Sequence, residues 1–401
     1  MSISYLEDAQ LLVKWVEAMH PIFYFNEIPS EYDGKRDAYL KAVSHPMAKW
    51  HFIFETMKYL TAMHDGHMGS GYSLFGPDSS MIDTEIIYTK NRLFVSNNGK
   101  PGDEIIAIGG VPATKILETV KMLTFAENIH AQKRQYERMC RFVQILEYAG
   151  CATTNPISIT LQGTDEYTQE SAIIAQNQLP SAKIKNDYII RHEVRNDIFI
   201  IDLREFTPHQ CIDDTCEEIK KAIKNGIKKF IVDVRGNSGG NSNVGEALLS
   251  AMGMKAPQYG MYEVVSDYVI GRWGGEKPEN GTRYHAPNPG CAVINENIQL
   301  VVLNDHDTFS SATMFSVWVQ DGKLGTIIGS PSINSPNSYG EMMWFMLPLS
   351  GQGFPISRKK FLRPDTNADA NVLWPDVLLE SHEDAMEQAL EFLSDNHIQP
   401  V

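Results

Sequence analysis

Between residues 197 and 234 the chain reads as strand, helix, strand, and this unit constrains the fold more than any other feature. Asp197-Ile198-Phe199-Ile200-Ile201-Asp202-Leu203 is a continuous apolar run of strand length. Asp214 to Lys224 predicts a helix stopped at Asn225-Gly226, and Lys229-Phe230-Ile231-Val232-Asp233-Val234 is the second strand. A helix joining two strands over about 40 residues makes a parallel pair with a right-handed crossover. The alternation continues with a helix from Val244 to Met252, strand Leu300-Val301-Val302-Leu303, helix Ser311 to Gln320 and strand Thr326-Ile327-Ile328. Residues 195–401 therefore predict an α/β core.

Upstream the pattern differs. Ser4 and Glu7 have capping-box spacing, and Leu12, Trp15, Val16 and Met19 follow on one helical face. A second helix is predicted over Glu31 to Val43. A third runs after Pro46 through Trp50, Ile53, Phe54, Met57 and Leu60 towards His64, with Gly66 as its stop. Residues 1–72 thus read as a helical region. Residues 73–194 change to short strands, such as Glu85-Ile86-Ile87-Tyr88 and Arg92-Leu93-Phe94-Val95, with helices from Ala113 to Met122 and Ala131 to Tyr148. That middle module shows no titratable cluster of its own. Dividing 401 residues by the typical domain length gives about 2.7, in keeping with three parts.

Composition narrows the function. Hydrophobic residues are 43% and charged residues 21%, enough apolar matter for a sizeable core. The net charge of −15 repels phosphate backbones and anionic lipid, which argues against nucleic acid and membrane partners. Met1 to Asp8 hold no basic stretch followed by an apolar core, and no run approaches the ~18 apolar residues of a membrane helix. Five scattered cysteines point to free thiols in a reducing compartment. The expectation is a cytoplasmic protein, with export after removal of a leader left open.

Two strand-to-helix junctions could carry chemistry, since ligands of open α/β sheets bind beyond the carboxyl ends of strands. At Arg235-Gly236-Asn237-Ser238-Gly239-Gly240-Asn241, glycines could turn N–H groups outward as a nest for an oxyanion, or simply make a tight turn. The same residues fit G-x-S-x-G with Ser238 as nucleophile, and His285, His306, His382 and His397 lie downstream. They fit neither G-x-x-x-x-G-K-[ST] nor G-x-G-x-x-G, so no phosphate-bearing cofactor is expected. The second junction is Asn304-Asp305-His306-Asp307-Thr308-Phe309-Ser310-Ser311-Ala312-Thr313. There a serine could cap the helix or act as a nucleophile, and these arguments do not separate Ser310 from Ser311. His67 in Met63-His64-Asp65-Gly66-His67 is the sharpest base candidate, against the commoner role of a histidine bonded at a helix end. His64 and His67 are three apart, but no Cys or acidic third ligand at a recognisable spacing supports a metal.

Several of these pieces coincide with one family. Phe230-Ile231-Val232-Asp233-Val234-Arg235-Gly236-Asn237-Ser238-Gly239-Gly240 resembles the strand and "DLRGNPGG" turn of the tail-specific, or C-terminal-processing, serine peptidases. This family groups with the tricorn core and the interphotoreceptor retinoid-binding modules. Thr308-Phe309-Ser310-Ser311-Ala312, with Gln320-Asp321-Gly322 and Ile327-Ile328-Gly329, resembles its nucleophile segment. Gly102 to Pro112 resembles the core of a PDZ-like module, His64-Asp65-Gly66-His67 the "DGHT" of tricorn-like members, and Trp374-Pro375-Asp376 the "PD" near the family's C-terminus. The resemblance implies an α/β, crotonase/ClpP-like catalytic core with an N-terminal helical region and a PDZ-like middle module. It implies a serine endopeptidase acting on peptide or protein substrates without a cofactor or metal, and it leaves a homo-oligomer open.

By position, the resemblance makes Ser310 the nucleophile and puts the Ser311 N–H in the oxyanion hole. Gly239 or Gly240 supplies the other donor, with Gly239 first. It demotes Ser238, where the family usually has proline. The family's lysine base is missing, its nearest match being Ser335, so the base passes to His67. An orienting acid is expected before Pro375-Asp376, Asp369 first and Asp365 second. Two alternatives remain at this level: a non-catalytic peptide- or small-ligand-binding protein on the same fold, and an α/β-hydrolase esterase using Ser238.

Overall fold

A computed structural model describes residues 3–69, 75–76, 78–179, 188–379 and 383–394. The chain divides into two compact units, residues 1–185 with 262–283 and 339–360, and residues 186–261 with 284–338 and 361–401. The 72/73 boundary predicted from sequence, His382 and His397 lie outside the described residues.

The second unit is built on a six-stranded sheet of β1 (Ile190–Arg195), β2 (Ile198–Leu203), β3 (Lys229–Asp233), β4 (Gln299–Asn304), β5 (Thr326–Gly329) and β6 (Val377–Leu378). Its spatial order follows chain order. β1 pairs antiparallel with β2, and every later pair is parallel. Successive side chains point to opposite faces, and both faces are covered, which explains the unbroken apolar runs. Phe199, Ile201, Phe230, Val232, Leu300, Val302 and Ile327 enter one core with α1 (Gln210–Lys224), α2 (Asn243–Ala251) and α3 (Ser311–Asp321). Ile198, Ile200, Ile231, Val301, Leu303 and Ile328 enter the other, under Ala385, Ala389 and Leu393 of α4 (Ala385–Ser394). Each such side chain contributes roughly 1.5–3 kcal/mol by leaving water.

α1 begins at Gln210, four residues before the sequence-based start, because the His209 side chain accepts the Cys211 N–H and caps it. Every other element predicted in this core is present within two residues at each end.

In the first unit, helices Leu6–Met19, Tyr32–Val43 and Lys49–Leu60 share one apolar core with the strands of residues 86–171. Phe354 and Ile356, from a later four-stranded sheet, join the same core. The capping box at Ser4 does not form. Tyr5 occupies the N-cap without a side-chain bond, and the Ser4 hydroxyl donates instead to Val43 O (3.2 Å). The helix expected over 131–148 is two, Ile129–Met139 and Val143–Ala149. Arg141 interrupts it, its guanidinium and its carbonyl both bonding the backbone of Ile82.

Candidate active site

In the second unit the two glycine- and serine-bearing junctions meet. After β3, Arg235 forks onto Asp233 (Nε–Oδ1 2.9 Å, Nη2–Oδ2 2.8 Å) and starts the turn. Asn237 is fully buried, donating Nδ2 to Leu203 O (2.8 Å) and accepting the Gly239 N–H on Oδ1 (2.8 Å). Gly239 has φ +92°, and a Cβ there would lie 2.7 Å from Ser310 Cβ and 2.8 Å from Ser311 N. Gly240 has φ +138°, and its Cβ would strike Phe206 O at 2.4 Å. Only glycine fits this approach of loop to helix start.

After β4, the Asp305 Oδ1 gathers the N–H of Gly236 (2.9 Å), the N–H of Asp307 (3.0 Å) and the Thr308 hydroxyl (3.1 Å). Burial nonetheless holds the Asp305 carboxyl above its ordinary value, with its hydrogen bonds opposing. Phe309 N donates to Asn237 O (2.9 Å), so the two loops are tied at several points.

Ser310 stands at φ +53°, ψ −124°, a conformation that L-residues seldom adopt and that recurs at functional turns. Its side chain makes no capping bond to α3, which removes the ordinary reason for a serine at a helix start. Ser311, by contrast, is buried and donates its hydroxyl to Gly240 O (2.7 Å). That contact separates two serines that the helix-start arguments alone left equivalent. Ser238 is exposed and lacks the positive φ of a nucleophile elbow.

The candidate oxyanion donors divide likewise. The Gly239 N–H, preferred from sequence, is taken up by Asn237. Among the described residues neither the Gly240 N–H nor the Ser311 N–H meets an acceptor, and α3 adds its N-terminal dipole.

His67 lies in the first unit, in a tight turn over Gly66–Gly69. The preceding turn ends at His64 in the left-handed conformation (φ +49°), not at Gly66. Gly66 is instead needed close to Glu127, whose Oε1 accepts its N–H at 3.1 Å. His67 is 4% exposed, with Nδ1 3.7 Å from Asp65 Oδ1 and 3.8 Å from Glu127 Oε1. Asp65 is fully buried, accepting the His67 N–H (2.8 Å) and facing His20 Nε2 (3.3 Å). Burial works against the charged ring, but the two carboxylates outweigh it and push the His67 pKa up to about 9. Asp65 in turn is held far below the usual carboxylate range despite its burial, by His20 and His67. The donor atoms of Asp65, His67 and Glu127 lie within 4.8 Å of one another, a set that could also hold a cation. The middle segment therefore does contribute a titratable group to a cluster, through Glu127.

Asp369 and Asp365, the sequence-based choices for orienting His67, are occupied within their own turns. Asp369 accepts the N–H groups of Asn371 (2.8 Å) and Val372 (3.2 Å) and the Trp374 indole (3.2 Å), and Asp365 accepts Asn367 N (2.9 Å). Asp376 of the Pro-Asp pair holds the start of β5, taking Ile327 N at 2.7 Å. Asp65, Glu127, Asn237 and Asp305 were missed from sequence as site residues. Asp65, Asn237 and Asp305 each sat inside a motif singled out from sequence, whereas Glu127 had no signal.

Residues 197–376 match the model of peptidase family S41. No curated protein matches the sequence. The fold is similar to that of mature CPAF, with a TM-score of 0.61 at 12% identity, covering 98% of this chain and 95% of that one. Mature CPAF complexed with lactacystin gives the same score and identity, covering 98% and 97%. The photosystem II D1 C-terminal processing protease is similar at 0.48 with 14% identity, covering 98% of each chain.

Proposed function

We propose that the chain, whose residues 197–376 match the model of peptidase family S41, is a serine peptidase of peptide or protein substrates, and we assign the groups that do its chemistry. Ser310 is the nucleophile and His67 the general base. The observation that carries this reading is Ser310 itself: a strained serine whose side chain makes no capping bond to its helix, beside two N–H groups that meet no acceptor among the described residues.

In the proposed cycle the neutral His67 ring takes the Ser310 proton as Oγ attacks the substrate carbonyl. The Gly240 and Ser311 N–H groups hold the resulting oxyanion, each worth roughly 2.7–4 kcal/mol in comparable sites. The imidazolium then protonates the leaving amine, and water repeats the sequence to release the acyl group. Asp65 and Glu127 orient the ring and stabilise its charged form, the part first given to Asp369. At 3.7 and 3.8 Å from Nδ1, both carboxylates are close enough to act on the ring through their charge.

The strand Lys100–Ile108, with the positive-φ pair Gly109-Gly110 after it, supports reading the middle segment as a PDZ-like module for a substrate tail. Five free cysteines support a cytoplasmic setting. Among the described residues no helix is long and apolar enough to cross a membrane.

A fluorophosphonate probe tests the assignment. Wild type should label at Ser310, with no labelling in Ser310→Ala and severe loss in His67→Ala. Unchanged labelling of Ser310→Ala would overturn it.

A further inference from the structure

We propose that Asn334 is a positioning residue that holds the nucleophile turn in its strained conformation through a single side-chain oxygen. The inference rests on the reading of Ser310 as nucleophile. Asn334 Oδ1 accepts the Ser310 N–H at 2.8 Å, and Asn334 is 2% exposed.

A residue at φ +53°, ψ −124° stays there only if its surroundings over-determine it. Three consecutive ties do so. Phe309 N donates to Asn237 O, Ser310 N to Asn334 Oδ1, and the Ser311 hydroxyl to Gly240 O. The first and third bind the turn to the oxyanion loop. The middle one reaches a different loop and fixes the peptide plane entering Ser310. Without it that plane can rotate, and rotation would re-aim both Oγ and the adjoining Ser311 N–H.

The loop that presents Asn334 is itself braced. Ser330 N donates to Asn304 O (3.1 Å) and Asn304 Nδ2 to Ser330 O (2.8 Å), anchoring the loop to the end of β4. Ile333 N donates to His306 O (3.3 Å), the Ser332 hydroxyl to Asn334 O (3.0 Å), and Asn337 N to Ala370 O (2.9 Å). A short amide on a braced loop is an acceptor with little freedom, as placing a backbone N–H requires. It is also neutral. A carboxylate there would set a negative charge beside the turn where the oxyanion develops.

The test compares fluorophosphonate labelling rates of the full-length wild type, Asn334→Leu and Asn334→Asp, with circular dichroism and thermal unfolding as fold controls. Asn334→Leu keeps size but has no acceptor, and should label about 100-fold more slowly while folded. On a quenched-fluorescent peptide its loss should fall in kcat, with KM within about threefold of wild type. Asn334→Asp, which retains an acceptor, should label faster than Asn334→Leu. If Asn334→Leu does not fold, Asn334→Ser, too short to reach, replaces it with the same expectation. A folded Leu or Ser variant labelling at the wild-type rate overturns the inference alone. A wild type that never labels at Ser310 overturns the nucleophile reading, and this inference with it.

Discussion

In the proposed cycle the charge on His67 decides when the site can work. A general base must be neutral, and its two carboxylate neighbours hold this ring protonated up to about pH 9. We therefore expect kcat/KM on a peptide substrate to rise about tenfold per pH unit below that point and then level off. Glu127→Gln removes one of the two carboxylates, so its rising limb should lie at lower pH; coincident limbs in the two proteins would rule out the role given to Glu127. Stability runs the other way. The folded pKa lies above the ordinary 6.5, so the ring's contribution is complete below pH 6.5 and fades as pH climbs through 9. Ser310 and His67 could be nominated from the sequence because each sits inside a short motif. Glu127 and Asn334 were not, because a loop residue 60 or 24 positions from its partner has no periodicity or spacing to betray it. Only tertiary packing brings them into place.

Among the elements, the parallel strands were the most legible, since two buried faces leave no polar alternation to confuse the reading. Boundaries set by side-chain caps were harder, as His209 shows at α1. The last part of the core is held by a contact with no sequence signature at all. Arg363, 3% exposed, forks onto Asp321 at the end of α3, whose carboxylate also accepts Asp365 N at 2.8 Å. Arg363→Met would leave Asp321 charged and buried with its strongest partner gone. We expect a loss of about 3–5 kcal/mol, read as a lower urea midpoint with the unfolding slope unchanged. A shift under about 1 kcal/mol would mean that water reaches Asp321 readily.

For the molecule as a whole, the organisation of the chain is the part that sequence concealed. Element types predicted an α/β core after residue 195, and such a core is there. What no local pattern reveals is that residues 262–283 and 339–360 leave that stretch to join the first unit. Their Val265, Val269, Met343, Leu347, Phe354 and Ile356 complete its apolar core, so a fragment of residues 1–185 lacks part of its own interior. Expressed alone, it should show weak amide-exchange protection; native-like protection would show that the two later segments are dispensable.

The chain passes between its two units five times, at 185/186, 261/262, 283/284, 338/339 and 360/361. One cut at any passage leaves four covalent links, and segments on both sides of the break still share one interior. For a peptidase exposed to its own activity this is a form of scar tolerance: a nicked molecule should run as two bands on a denaturing gel yet migrate as one species under native conditions.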